Sequence, residues 1–203
     1  MIAIADYGVG NLFSLKSSFA AIGHDVTVTA DADVLRVADK LILPGVGAFR
    51  DAAAKLDSSG LGGVVREEAA AGKPLLGICL GMQLLFEKSY EYGEYKGLGL
   101  LPGEIRPISD VIPRDLKIPH IGWNSLSFKH DSPLFRFIRN GDHVYFVHSY
   151  YARTDERFVA ATAEYGAELT AVVGLDNVYG CQFHPEKSGE VGLNILRAFC
   201  EET

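Results

Sequence analysis

Short apolar runs at Ile2–Asp6, Asp25–Ala30, Lys40–Pro44 and Leu75–Ile78 are interleaved with segments of helical period, and this alternation restricts the fold more than any other feature of the chain. Asn11–Gly23 repeats Leu12, Leu15, Phe19 and Ile22 at helical spacing and is stopped by Gly23. Val64–Ala71 closes at Gly72 with Pro74 just beyond, and a helix over Leu80–Glu87 opens directly behind the fourth run. Val26 and Val28 alternate as in a strand, whereas the continuous apolar character of Leu75–Ile78 marks a buried one. Strands joined through helices return to the same end of a sheet and therefore run parallel. The second half differs. Ile105–Lys129 is broken by prolines and polar residues, strand-like runs follow at His143–Ser149, Phe158–Ala163, Thr170–Leu175 and Val178–Phe183, and Gly192–Glu201 is a closing helix. The expectation is an α/β protein with a mostly parallel central sheet, helices on both faces and additional antiparallel strands. No repeat, low-complexity tract or linker interrupts it, so a single domain over residues 1–203 is expected.

Composition narrows the chemistry by exclusion. A net charge of −7 lacks the basic footprint of a nucleic-acid binder. The three cysteines, Cys79, Cys181 and Cys200, are too scattered and too few for a disulfide framework, and no C-x-x-C pair points to zinc. The amino-terminal residues have no secretory pattern, and the longest apolar stretch, Pro74 to Phe86, is too short to span a bilayer. A soluble, cytoplasmic protein without metal or cofactor is expected.

The chemical signal is Gly77-Ile-Cys79-Leu-Gly81, set between an apolar strand and a helix. It has the G-x-nucleophile-x-G form of a nucleophile elbow, a turn so sharp that its central residue is strained and projected clear of the sheet. A β-carbon at either glycine is expected to collide with neighbouring backbone. At the amino end of a helix, unpaired N–H groups and the helix dipole favour the thiolate, and the Leu80 N–H points to where an oxyanion would form. A lone buried cysteine is otherwise an inert packing residue; the flanking glycines and the strand–helix setting favour a nucleophile at Cys79.

Such a nucleophile needs a base. Of the six histidines, His184 in Gln182-Phe-His184-Pro-Glu186 is the best placed. It follows a strand, at the end where parallel-sheet enzymes put their chemistry. Glu186, two residues on, can lie on the same side as the imidazole and fix its tautomer, the third role of a triad. A zinc deaminase also uses H-x-E, but its P-C-x-x-C partner is absent. His148 ends another strand-like run without an adjacent carboxylate and is placed second, as a wall of the same pocket. Two glycine turns, Gly8–Gly10 and Pro44–Gly47, lack the third glycine of a dinucleotide fingerprint. Either is a connecting turn or a source of a second oxyanion donor.

Gly77-Ile-Cys-Leu-Gly-Met-Gln83 together with His184-Pro-Glu186 resembles the class I (triad) glutamine amidotransferases, whose fold is flavodoxin-like. Asp6-Tyr-Gly-Val-Gly-Asn11, Pro44-Gly-Val-Gly-Ala-Phe49, His120-Ile-Gly-Trp-Asn124, Tyr145-Phe-Val-His-Ser-Tyr150 and Phe183-His-Pro-Glu-Lys-Ser-Gly189 are similar to the branch that forms the glutaminase subunit of imidazole glycerol phosphate synthases. The resemblance implies hydrolysis of L-glutamine to glutamate and ammonia through a thioester on Cys79, with His184 and Glu186 completing the triad. It implies an oxyanion hole from the backbone of Leu80 and Val46, with a peptide flip at Gly45–Val46 as the candidate switch. Glutamine contacts would come from Gly47, Gln83, Ser149 and Tyr150. It further implies a heterodimer with a (β/α)8-barrel cyclase that uses the ammonia to make imidazole glycerol phosphate and AICAR in histidine biosynthesis. Asn11, Trp123, Tyr145 and Lys187 are placed at that interface, although a lone tryptophan serves equally well in a core. The alternatives are a subunit of anthranilate or aminodeoxychorismate synthase, against which Met82 and the Pro44–Phe49 segment count, and a non-enzymatic member of the fold, in which the His184–Glu186 pair would have no purpose.

Overall fold

The first strand shows why the sheet is covered on both sides. In Ile2–Ala5 every residue is buried, with Ala3 and Ala5 packed into one core and Ile2 and Ile4 into the other. Leu41 and Leu43 against Ile42, and Leu75 against Leu76 and Ile78, divide the same way, as the two-residue period of a strand requires. The cores are nearly equal, 25 and 24 buried residues, so neither face of the sheet is left to solvent.

The computed structural model describes residues 1–203. In chain order the elements are β1 (Ile2–Ala5), α1 (Leu12–Ala21), β2 (Val26–Thr29), α2 (Ala32–Val37), β3 (Lys40–Leu43), α3 (Phe49–Ser58), α4 (Leu61–Ala70), β4 (Leu75–Ile78), α5 (Leu80–Leu84), β5 (Phe86–Ser89), β6 (Tyr95–Lys96), β7 (Leu101–Pro107), β8 (His120–Ser125), β9 (Ser127–Phe128), β10 (His143–His148), β11 (Tyr150–Arg153), β12 (Val159–Glu164), β13 (Glu168–Leu175), β14 (Val178–Cys181) and α6 (Gly189–Glu202). The main sheet has the order β2-β1-β3-β4-β14-β13-β12-β9. It is parallel from β2 to β14 and antiparallel beyond, as expected for a mostly parallel α/β sheet with added antiparallel strands. Leu35 of α2, Phe49 and Leu56 of α3 and Val65 of α4 fill one core; Leu15 and Phe19 of α1 and Ile195, Leu196 and Phe199 of α6 fill the other. Truncating a fully buried phenylalanine such as Phe19 or Phe199 typically costs about 3–5 kcal/mol. No helix is long and apolar enough to cross a membrane.

Several expected elements shift. The helix expected over Leu80–Glu87 stops at Leu84, and Phe86–Ser89 is a strand instead. The cause is competition for carbonyls. Leu84 O accepts from Leu98 N–H at 2.8 Å and Leu85 O from Leu100 and Leu101, so the oxygens that a further helical turn would need are taken. The proline-rich stretch Ile105–Lys129 nonetheless holds β8, β9 and the end of β7. The run expected over His143–Ser149 ends at His148, and the chain then changes sheet: β10 pairs with β8, β11 with β7. Ser149 lies at that crossover, beside the carboxyl ends of the parallel strands. Helices α2 and α3 lie in segments where no helix was expected.

Candidate active site

Adjacent parallel strands bring two distant segments together. In the β14–β4 register Gly180 lies beside Gly77 and Cys181 beside Ile78, and the Cys79 N–H donates to Cys181 O at 2.8 Å. The residues just past both strand ends, Cys79 on one and Gln182 to His184 on the other, therefore emerge at the same edge. Cys79 itself has φ 54° and ψ −112°, a left-handed conformation that costs a non-glycine residue roughly 1–3 kcal/mol. The elbow depends on its glycines. A β-carbon at Gly77 would lie 2.7 Å from Met82 Cα, and one at Gly81 would overlap the Leu43 carbonyl. The helix behind the elbow, five residues long, offers less dipole than the longer one expected from the sequence, so polarisation of the thiol falls mainly to its neighbours.

The neighbour is His184. Its N–H donates to Tyr145 O at 3.0 Å, pulling the chain off the sheet, and Pro185–Lys187 closes a single 3-10 turn. Within that turn His184 Nδ1 lies 2.8 Å from Glu186 Oε1. A carboxylate only accepts, so Nδ1 carries the hydrogen and Nε2 is left for Cys79. Both side chains are 4% exposed, and Glu186 Oε2 has no other partner, so the imidazole is the carboxylate's one hydrogen-bonding partner in the turn. Burial would lower the pKa of His184, but the hydrogen bonds and charges of Cys79 and Glu186 outweigh it and push it up to about 10. Ser188 braces the turn, its hydroxyl donating to His184 O at 2.6 Å while accepting the Tyr145 N–H at 2.9 Å.

His148 has no nitrogen to spare. Nδ1 lies 2.8 Å from Tyr150 O and Nε2 lies 2.9 Å from His120 Nδ1. Burial pushes its pKa down to about 4, so it is a neutral wall. His120 is lowered too, by burial, against a 2.8 Å contact with Asn124 Oδ1 that acts the other way.

The cavity at this edge has a volume of about 460 Å³ and is lined by Cys79, Leu80, Gln83, His148, Ser149, Tyr150 and His184, with Val46, Gly47 and Lys187 at its mouth. The fold thus gathers Cys79, His184 and the oxyanion and glutamine-contact candidates around one space, with Glu186 held against His184. The Leu80 N–H is engaged: it donates to Gly45 O at 3.3 Å. Just upstream, buried Tyr7 donates to Pro44 O at 2.6 Å. Of the four interface candidates only Lys187 reaches the cavity. Trp123 is 53% exposed and stacks edge-on against Tyr145 at 5.9 Å, so it is a surface residue and not a core one. Asn11 has an internal task, its Oδ1 accepting the Ser14 N–H to cap α1.

Four wall residues, Glu91, Tyr92, Pro119 and Val147, were not visible as site residues. Glu91 and Tyr92 follow β5, whose first two residues were read as helix, and no spacing rule marks them. Glu91 accepts the Phe49 N–H at 2.7 Å, and burial raises its pKa. Gln182, read only as part of the histidine motif, is fully buried against the nucleophile. A second cavity of similar size, lined by Arg50, Asp57, Arg66 and Tyr95, has no nucleophile–base pair.

The family model for class-I glutamine amidotransferases matches residues 3–203. Similar proteins include the imidazole glycerol phosphate synthase subunit HisH of Caldanaerobacter subterraneus subsp. tengcongensis, 51% identical over 99% of this chain and 98% of the relative. The HisH subunit of Lactococcus lactis is 50% identical over the same shares. Among solved structures, one described as a glutamine amidotransferase superposes with a TM-score of 0.77 at 20% identity, covering 98% of this chain and 97% of the other. PurLQS from Thermotoga maritima gives 0.76 at 20% identity, covering 98% and 96%.

Proposed function

The chain belongs to the class-I glutamine amidotransferases, and on that premise we propose how its residues carry the activity. It is the glutaminase subunit of an imidazole glycerol phosphate synthase, acting in histidine biosynthesis, as full-length relatives near 50% identity indicate. Cys79 attacks the side-chain amide carbon of glutamine. His184, which holds the proton taken from the Cys79 thiol, gives it to the departing nitrogen, so ammonia leaves and a glutamyl thioester remains on the sulfur. Water then adds to the thioester, His184 takes its proton, and glutamate is released with the thiolate–imidazolium pair restored. Glu186 holds the imidazole in the required tautomer. The single observation that carries this reading is that His184, held by Glu186 at 2.8 Å, lines the same cavity as the strained Cys79.

The remaining assignments follow from the lining. Gln83 spends its amide hydrogens on Gln182 and Tyr150 O, so it presents an oxygen to the cavity, suited to the α-ammonium of glutamine. The Glu91 carboxylate complements the same charge. Gly47 and the Ser149–Tyr150 crossover supply backbone on the other walls. Leu80 and Val46 N–H groups hold the oxyanion once the Gly45–Val46 peptide has turned its oxygen away from Leu80.

The partner is a cyclase, proposed to be a (β/α)8 barrel, that receives ammonia directly, because in water at neutral pH most would become ammonium. Ile121, Trp123 and Tyr145 on the outer face of the β8–β10 ribbon supply apolar contact area for it, with Lys187 nearby at the cavity mouth. Asn11 joins through its exposed side. The chain works as one domain over residues 1–203, in the cytoplasm. Ammonia release from glutamine, measured alone and then with the cyclase and its nucleotide-sugar ligand, tests the reading: strong stimulation supports it, and activity indifferent to that partner moves the assignment to another amidotransferase.

A further inference from the structure

Gln182 is a polar side chain with no solvent exposure, and the triad leaves it without a task. Its neighbours fix which way its amide faces. Gln83 Nε2 lies 3.3 Å from Tyr150 O and 3.0 Å from Gln182 Oε1. Tyr150 O is a backbone carbonyl that also receives His148 Nδ1 at 2.8 Å, and it can only accept. The Gln83 group facing it must therefore be the NH2. The second hydrogen of that NH2 then requires an acceptor, so Gln182 turns its oxygen to Gln83. The NH2 of Gln182 is left facing Cys79 Sγ, at 3.8 Å. Reversing the Gln182 amide would set two NH2 groups against each other 3.0 Å apart.

We propose that Gln182 is a positioning residue for the nucleophile: its amide N–H, aimed by Gln83, holds the Cys79 sulfur on the side away from the substrate and stabilises it while it is negatively charged. The inference rests on the reading of Cys79 as nucleophile and adds a donor to it. A hydrogen bond to the charged form of a group favours that form. The bond is long for the neutral thiol and shortens on a thiolate, because charge-assisted bonds are the shorter and stronger ones. The same contact is available to the sulfur when it leaves the thioester, so deacylation benefits as well. His184 and Gln182 act on different terms. The imidazolium supplies charge and a transferable proton, whereas the amide supplies a fixed dipole that does not titrate.

The test is alkylation of Cys79 by iodoacetamide from pH 5 to 10, followed peptide by peptide so that Cys181 and Cys200 are scored separately. It needs no glutamine and so separates this inference from substrate binding. Gln182→Glu keeps the shape and places an acceptor against the sulfur, while Gln182→Met removes the donor and keeps the volume. In both, the alkylation profile should move to higher pH, and at pH 7 the rate should fall by about three- to tenfold in Gln182→Met and further in Gln182→Glu. Gln83→Leu, which frees the Gln182 amide to turn, should shift the profile in the same direction and by less. A Gln182→Glu protein that is folded and keeps the wild-type profile overturns the inference, as does a fall equal in both variants and independent of pH. If wild-type protein itself releases no ammonia from glutamine with its partner present, the functional reading fails first, whatever Gln182 does.

Discussion

The Leu80 N–H donates to the Gly45 carbonyl at 3.3 Å, so the donor proposed for the oxyanion is occupied by the chain's own backbone. Upstream, Tyr7 pins Pro44 O, and a β-carbon at Gly45 would meet Gly81 N at 2.8 Å, so the Pro44–Gly45 segment has little freedom. Downstream, Gly47 at φ +96° has open space around it. The Gly45–Val46 peptide is thus the part left free to turn, and turning it would exchange one backbone bond for the two proposed oxyanion donors.

Such a donor acts mainly in the transition state. Activation by the partner should therefore appear in kcat, by about 100-fold or more, with KM for glutamine nearly unchanged. Steady-state kinetics of ammonia release with and without the liganded cyclase measure this. Activation residing entirely in KM would mean that the partner builds the glutamine site and does not turn this peptide.

Stability should depend on pH through His184. Its folded pKa of about 10 lies above the ordinary 6.5, so the stabilisation is fully present below pH 6.5 and is lost as pH rises through 10. Thermal unfolding should show Tm falling between pH 7 and 10, by on the order of 5 °C. Glu186→Gln, which removes one of the groups that raise this pKa, should flatten the slope. Equal slopes in the two proteins would contradict the assigned cause.

Lys40 clasps the end of the chain. Its ammonium donates to Phe199 O at 3.0 Å and Cys200 O at 2.7 Å, joining β3 to the last turn of α6, where carbonyls lack helical partners and the dipole favours a cation. Lys40→Met should cost about 1–2 kcal/mol in denaturant unfolding, with glutaminase activity per folded molecule unchanged.

Trp123 and Tyr145 pack on each other at the surface and not in the core. Trp123→Ala should leave thermal stability of the isolated chain within about 1 kcal/mol while weakening the cyclase complex by about tenfold or more. Titration calorimetry separates the two effects. Undiminished affinity would remove this ribbon from the interface.

The parallel half of the fold was legible because its signals are local. A four-residue strand buried on both faces reads as a continuous apolar run, and Gly77 and Gly81 mark an elbow that no larger residue could form. The juxtaposition of Cys79 and His184 was legible because each follows such a strand, and β4–β14 pairing does the rest. What escaped was set by long-range contacts. Leu84 looks helical onward until Leu98 takes its carbonyl, and with that strand the wall residues Glu91 and Tyr92 were lost from view. The orientation of Gln182 likewise depends on Tyr150, at no fixed spacing from it.

Glutamine hydrolysis by this chain requires a thioester at Cys79. Protein mixed with glutamine and its liganded cyclase, quenched in acid within the first turnovers and digested, should carry a glutamyl adduct on the Cys79 peptide. The adduct should be absent in Cys79→Ala, whose complex should still make product when ammonia replaces glutamine. Glutamine-dependent synthesis persisting in Cys79→Ala, or an adduct on Cys181 or Cys200 instead, would contradict it.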